Sequence, residues 1–159
     1  MVKFMKNLLV LSLLGVVLSG CAATYTPPET IQTNTLLKNS IDAKKDALIK
    51  AVQKTLALNG EQIQNIDTNT GIITTVPKTL RLNPDLADCG KTMGLDYLKD
   101  NRTNSKFSYN IIVEDNSLTI KGNPTAEYRV GASDQDMNLT CVSKGVLEKQ
   151  LFESIKNNL

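Results

Sequence analysis

Apolar positions change their period along the chain, and each change marks an element. Ile41, Leu48, Val52, Thr55 and Leu56 fall on one side of a 100° wheel, flanked by Ile49 and Ala51, with Asp42, Asp46, Lys50, Gln53 and Lys54 opposite. This predicts an amphipathic helix entered at Ser40 as N-cap, with Asp42 in its first turn, and stopped at Gly60. Its polar face lacks the strongly basic character of membrane-lying helices, so the apolar side is expected to pack on a sheet. Two β-branched runs follow, Gln62 to Ile66 and Ile72 to Val76, separated by Asp67-Thr-Asn-Thr-Gly71. Asp, Asn and Gly tolerate the dihedrals of a hairpin turn.

Alternation is clearest further on, at Phe107, Tyr109, Ile111 and Val113, then Leu118 and Ile120, then Ala126, Tyr128 and Val130. With Asp115-Asn116 as a two-residue turn, Val113 faces Leu118 and Ile111 faces Ile120, so both pairs land on one sheet face. Asn123-Pro124 predicts a break before a further strand over 125–130. A second helix is expected from Ser143 to Asn157, with Leu147, Leu151, Phe152, Ile155 and Leu159 on one side. Glu148 falls within that apolar arc. The reading preferred for it is a structural ion pair with Lys144 or Arg129, over a general acid whose pKa is raised by burial.

The segment Pro77 to Ser105 shows little period apart from a turn of helix around Leu95 to Lys99. A structureless connection of that length in a compact domain is usually functional or mobile, so it is the candidate interaction surface, at Asp85, Asp88, Lys91, Tyr97, Lys99 and Arg102. Strands grouped between helices at the two ends predict an α+β, two-layer domain. An antiparallel sheet of about five short strands would carry the N-terminal and C-terminal helices on one face.

Composition removes several function classes. The chain has no His, which excludes Ser-His-Asp and Cys-His nucleophiles and any His-ligated zinc. Asp67-x-Asn69-x-Gly71 has the look of the start of a calcium loop, but the further ligand position and the closing Glu are out of register. No Gly-rich phosphate loop appears, and neither a cofactor nor a metal site is expected. A formal net charge of +2 provides no electrostatic drive towards nucleic acid, which is not expected as a partner. A carboxylate hydrolase would need two acidic groups about 5 to 9.5 Å apart, and no spacing in the sequence predicts such a pair.

The N-terminus carries the most specific signal. Lys3 and Lys6 precede an apolar run from Leu8 to Leu18, too short for the roughly 20 residues of a spanning helix, and Ser19, Gly20 and Cys21 follow. Leu18-Ser19-Gly20-Cys21 resembles the lipobox of bacterial lipoprotein precursors. The resemblance implies removal of residues 1–20 as a signal peptide, diacylglycerol on the Cys21 thiol and acylation of the new terminus, and two or three acyl chains anchor a protein stably. Ala22, rather than Asp, resembles the pattern for sorting to the outer membrane. The leader removes two lysines and no acid, leaving 16 basic and 16 acidic side chains.

Residues 21–39, with their Thr, Pro and Ala, read as the lipidated cysteine and a flexible tether, able to hold a single domain over 40–159 clear of the headgroups. With Cys21 acylated, Cys89 and Cys141 are left as a pair in an oxidising compartment and are expected to be bridged, in preference to a reactive-thiol or metal pair, which without His would need carboxylate ligands. A lipid-anchored envelope protein follows, non-enzymatic, as an adaptor or structural subunit with an envelope protein partner. The alternative is a small ligand-binding or enzyme-inhibiting module, which predicts a concave apolar pocket where an adaptor predicts a flatter patch.

Overall fold

The computed structural model describes residues 25–28, 36–129, 131 and 136–159. The leader, Cys21 with its lipobox, most of the expected tether, Val130 and part of the Gly131 to Asn138 stretch lie outside these. In chain order the elements are β1 (Tyr25–Thr26), β2 (Leu36–Ser40), α1 (Lys45–Leu58), β3 (Ile63–Asp67), β4 (Ile72–Thr75), β5 (Lys78–Thr79), β6 (Ala87–Asp88), β7 (Lys91–Thr92) and β8 (Leu95–Asp96). A 3-10 turn (Tyr97–Lys99), β9 (Thr103–Glu114), β10 (Ser117–Tyr128), β11 (Met137–Leu139), β12 (Val142–Ser143) and α2 (Val146–Lys156) complete them.

The expected hairpin forms the centre of the fold. In the β9–β10 pair, Val113 lies opposite Leu118 and Ile111 opposite Ile120, as the turn length and apolar parity require. The main sheet runs β11-β10-β9-β4-β3, with β2 added along β10 and β5 along β9, and its pairs are antiparallel. Phe107, Tyr109, Ile111, Val113, Leu118 and Ile120 are buried. Against this apolar face pack α1, on β9, and α2, on β10, the two helices also touching each other. Every position expected on the buried side of the first helix, from Ile41 to Leu56, is buried. The class is α+β with two helices on an antiparallel sheet.

The strand count is corrected, from about five to twelve among the described residues, in three sheets. One reason is that five of the twelve strands lie wholly or partly in segments read as aperiodic and are only two residues long. Two residues cannot display an alternation, so no periodicity search finds them. The segment 77–105 is therefore a folded lobe and not a structureless loop. The tether is corrected too: Leu36–Ser40 pairs with β10, and Tyr25–Thr26 pairs with β7.

Asn123-Pro124 does not break the strand; β10 continues through it to Tyr128. The outer edge of β10 is covered by β2 at residues 117–121 and by β11 at 126–128. The Gly122 N–H points to that outer side, where it donates to Glu148 Oε1 at 3.0 Å. Two residues further on, by the strand's period, the missing N–H of Pro124 falls on the same side, where no ladder bond is required.

The helix starts are corrected as well. Ser40 ends β2 and does not cap α1, which begins at Lys45 with Asp46 in its first turn. Its cap comes from across the molecule: the Lys45 N–H donates to Asp115 Oδ1 at 2.9 Å, from the turn of the β9–β10 hairpin. The second helix starts at Val146, since Ser143 belongs to β12, and Leu159 is exposed. Glu148 is completely buried but pairs with neither proposed cation. Lys144 bonds the Pro84 carbonyl, Arg129 bonds Glu127, and Glu148 Oε2 has no partner.

Candidate functional site: a tyrosine-floored cleft in the stapled lobe

Strands β6, β7 and β8, the 3-10 turn, and the incoming β1 form a lobe at the end of the sheet where β9 begins and β10 ends. The sulfurs of Cys89 and Cys141 lie 2.03 Å apart, at disulfide distance, beside the β6–β12 pair. Tyr25 holds β1 against this staple: its hydroxyl lies 3.2 Å from the Cys89 carbonyl oxygen and 3.4 Å from that of Thr140, as a donor to either. Gly90, at φ +81°, permits the approach. A Cβ there would stand 2.5 Å from the Thr26 carbonyl oxygen and 2.6 Å from the Tyr25 ring.

The cleft itself has a volume of about 390 Å³. Its floor is aromatic, the Tyr97 and Tyr128 rings meeting edge to face with centroids 4.9 Å apart; Tyr25, outside the cleft lining, has its ring centroid 5.8 Å from that of Tyr97. The β7–β8 hairpin provides one wall, with Thr92, Met93 and Leu95, and Lys99, Asp100 and Arg102 line the other. Thr92 Oγ1 and the Tyr97 hydroxyl lie 2.5 Å apart, and Thr103 Oγ1 donates to the Tyr97 carbonyl at 2.6 Å, so the residue is held at its hydroxyl and at its backbone. Asp96 accepts from the Leu98 N–H at 2.9 Å and sets the 3-10 turn that presents Lys99.

The rim carries one ion pair. Arg102 grips Asp100 with two bonds, Nε to Oδ1 at 3.0 Å and Nη2 to Oδ2 at 2.7 Å, and lies over the Tyr128 ring at 5.0 Å from its centroid. The side-chain hydrogen bonds from Arg102, more than any other cause, hold the Asp100 carboxyl well below the usual carboxylate range. Burial pushes the Tyr128 hydroxyl up. With Asp96 and Asp100 set against Lys99 and Arg102, the cleft offers an apolar floor and a balanced rim, the chemistry for an apolar or aromatic group flanked by hydrogen-bonding atoms. Asp100, ionised and gripped, is poorly placed to donate a proton.

Of the six residues singled out in the sequence, Tyr97, Lys99 and Arg102 meet in this cleft. Asp88 and Lys91 line a neighbouring hollow of about 340 Å³ with Thr26, Pro27 and Gly90. Asp85 stands apart and exposed, in a turn where its N–H donates to Asn83 Oδ1 at 2.9 Å. The sequence reading missed Tyr25, Met93, Leu95, Asp100 and Tyr128. Tyr25 lay in the presumed tether and Tyr128 in a strand, and neither position signals by itself that it meets the loop.

Among the described residues no helix is long and apolar enough to cross a membrane, and no cluster of acidic or thiol groups is placed to hold a metal. No family profile and no curated protein matches the chain. A solved structure described as a TBP-like protein from Parabacteroides distasonis ATCC 8503 is similar at 13% identity, over 78% of this chain and 95% of its own, with a TM-score of 0.42. Likeness of that degree supports no inference about this chain.

Proposed function

We propose that this protein is a bacterial envelope lipoprotein, acylated at Cys21 and carried to the outer membrane, that works without catalysis as an adaptor for an envelope protein. The observation that bears on that role most directly is the Tyr97–Tyr128 floor, which lies beside the exposed apolar side chains of Met93 and Leu95, so that the cleft is continuous with an apolar surface patch open to a partner. A partner's apolar or aromatic side chain fits such a floor, while main-chain groups beside it meet Lys99 and Asp96. The acylation rests on Leu18-Ser19-Gly20-Cys21.

The concavity of the cleft also favours a second reading, a small-ligand or inhibitor module. Envelope capture with the lipidated protein and its Tyr128→Ala form separates the two. An adaptor recovers a defined protein with the first and loses it with the second. A small-ligand module recovers none and shows a thermal shift with a muropeptide or similar ligand. The anchor is read independently: Cys21→Ser is expected to move the protein from the membrane pellet to the soluble fraction, and recovery of both forms in the pellet overturns the acylation.

A further inference from the structure

The β7–β8 hairpin presents Met93 and Leu95 to solvent at 79% and 77% exposure, the two most exposed large apolar residues among those described. Its two-residue turn, Met93-Gly94, has positive φ at both positions, 51° and 79°. Turns of this kind favour Asn-Gly or Asp-Gly. Here an apolar side chain occupies the place of a polar one at the outermost point of the hairpin. Such departures from local preference occur where another function is served.

The register of β1 brings the anchor to this point. Tyr25 lies opposite Thr92 and Thr26 opposite Lys91, antiparallel, so the N-terminal end of β1 is the end nearer the hairpin turn. Cys21 is four residues before Tyr25, a reach of at most about 14 Å. Neighbouring strands are about 5 Å apart. An acylated Cys21 would therefore hold β1, and the hairpin paired with it, within that reach of the bilayer, where a long tether would have let the domain stand off the membrane.

We infer that the tip of the β7–β8 hairpin docks on the lipid bilayer, with Met93 and Leu95 entering the interface beside the acyl chains and the Tyr97–Tyr128 cleft opening at the membrane surface. The docking rests on the acylation of Cys21 proposed above. It is driven by apolar contact: between residues 85 and 102 four acids, Asp85, Asp88, Asp96 and Asp100, oppose Lys91, Lys99 and Arg102, which provides no net attraction to anionic headgroups.

The lipidated protein is tested in vesicles of phosphatidylethanolamine and phosphatidylglycerol containing a doxyl-labelled lipid. A nitrobenzoxadiazole label is placed at Met93→Cys, at Leu95→Cys, or at Glu114→Cys. Glu114 ends β9 eleven residues from Thr103, about 36 Å along the strand. Both hairpin labels are expected to be quenched at least about twofold more than the Glu114 label, with blue-shifted emission, and equally when phosphatidylcholine replaces phosphatidylglycerol. Agreement of the two hairpin sites guards against a disturbed turn. Equal accessibility of all three labels in protein whose mass shows an acylated Cys21 overturns the docking and leaves the anchor standing. Protection seen in native envelopes but not in pure vesicles also overturns it, in favour of a protein covering the tip. An unmodified Cys21 in the mass spectrum removes the acylation and the docking together.

Discussion

Single carboxyl groups in this molecule are held by partners at very different distances along the chain, Asp100 and Asp67 by near neighbours and Glu148 by a residue of another element. Asp100 is a half-buried carboxylate whose affinity for a proton is set chiefly by Arg102, two residues away but brought back by the turn. A carboxyl whose folded pKa lies below its unfolded value, about 3.9, adds stability that is fully present above that value and is lost as pH falls through the folded pKa. Asp67, held down chiefly by hydrogen bonding from Thr70, acts in the same sense. Arg102→Gln is expected to return the Asp100 titration, followed by carboxyl carbon shifts, towards the ordinary range while leaving that of Asp67 unchanged. Glu148 is a buried carboxyl group that accepts one hydrogen bond, from the Gly122 N–H, and leaves its other oxygen without a partner. A Cβ at Gly122 would stand 2.3 Å from the Phe107 ring and 2.4 Å from Glu148 Oε1. Gly122→Ala is expected to cost about 1–3 kcal/mol in denaturant unfolding, through overpacking at that contact.

Elements are defined here by tertiary neighbours as much as by their own residues. The first helix has the apolar stripe that its sequence predicts, yet its start is decided by Asp115, seventy residues on, and not by Ser40. The same hairpin turn is sewn to the helix entry by the Ile41 N–H to the Asn116 carbonyl at 3.1 Å and by the Asn116 N–H to the Ala43 carbonyl at 3.0 Å. Asp115→Ala removes the acceptor at the Lys45 N–H and is expected to lower stability by about 1 kcal/mol, measured by chemical denaturation, with Ser40→Ala costing distinctly less. A larger loss from Ser40→Ala would show that the helix starts where local preference puts it.

For the whole molecule, the staple and the first strand tie the lobe together and to the rest of the fold. Closing the chain between Cys89 and Cys141, 52 residues apart, is expected to contribute about 4 kcal/mol by restricting the unfolded chain. The double change Cys89→Ser and Cys141→Ser should therefore lower the unfolding free energy by roughly that amount in non-reducing buffer and bring it level with the reduced native protein. Gly90→Ala tests the docking of β1 separately. The added methyl displaces Tyr25 and Thr26, so protease cleavage after Tyr25 is expected to accelerate while the β9–β10 amides keep their slow hydrogen exchange.

Sequence alone determined what rests on periodicity and on chemistry confined to a few adjacent residues. The stripe of the first helix, the Val113–Leu118 and Ile111–Ile120 register and the α+β class all follow from side-chain period, because a slip by one residue would turn an entire apolar set into water. Only the tertiary structure decided the rest. Two-residue strands have no period, a cap drawn from seventy residues away has no local signature, and the continuation of β10 through Pro124 depends on which edge happens to lack a neighbour. The cleft belongs to the same kind: Tyr97 and Tyr128 are unremarkable one by one, and their rings become a floor only because the fold brings the 3-10 turn against the end of β10.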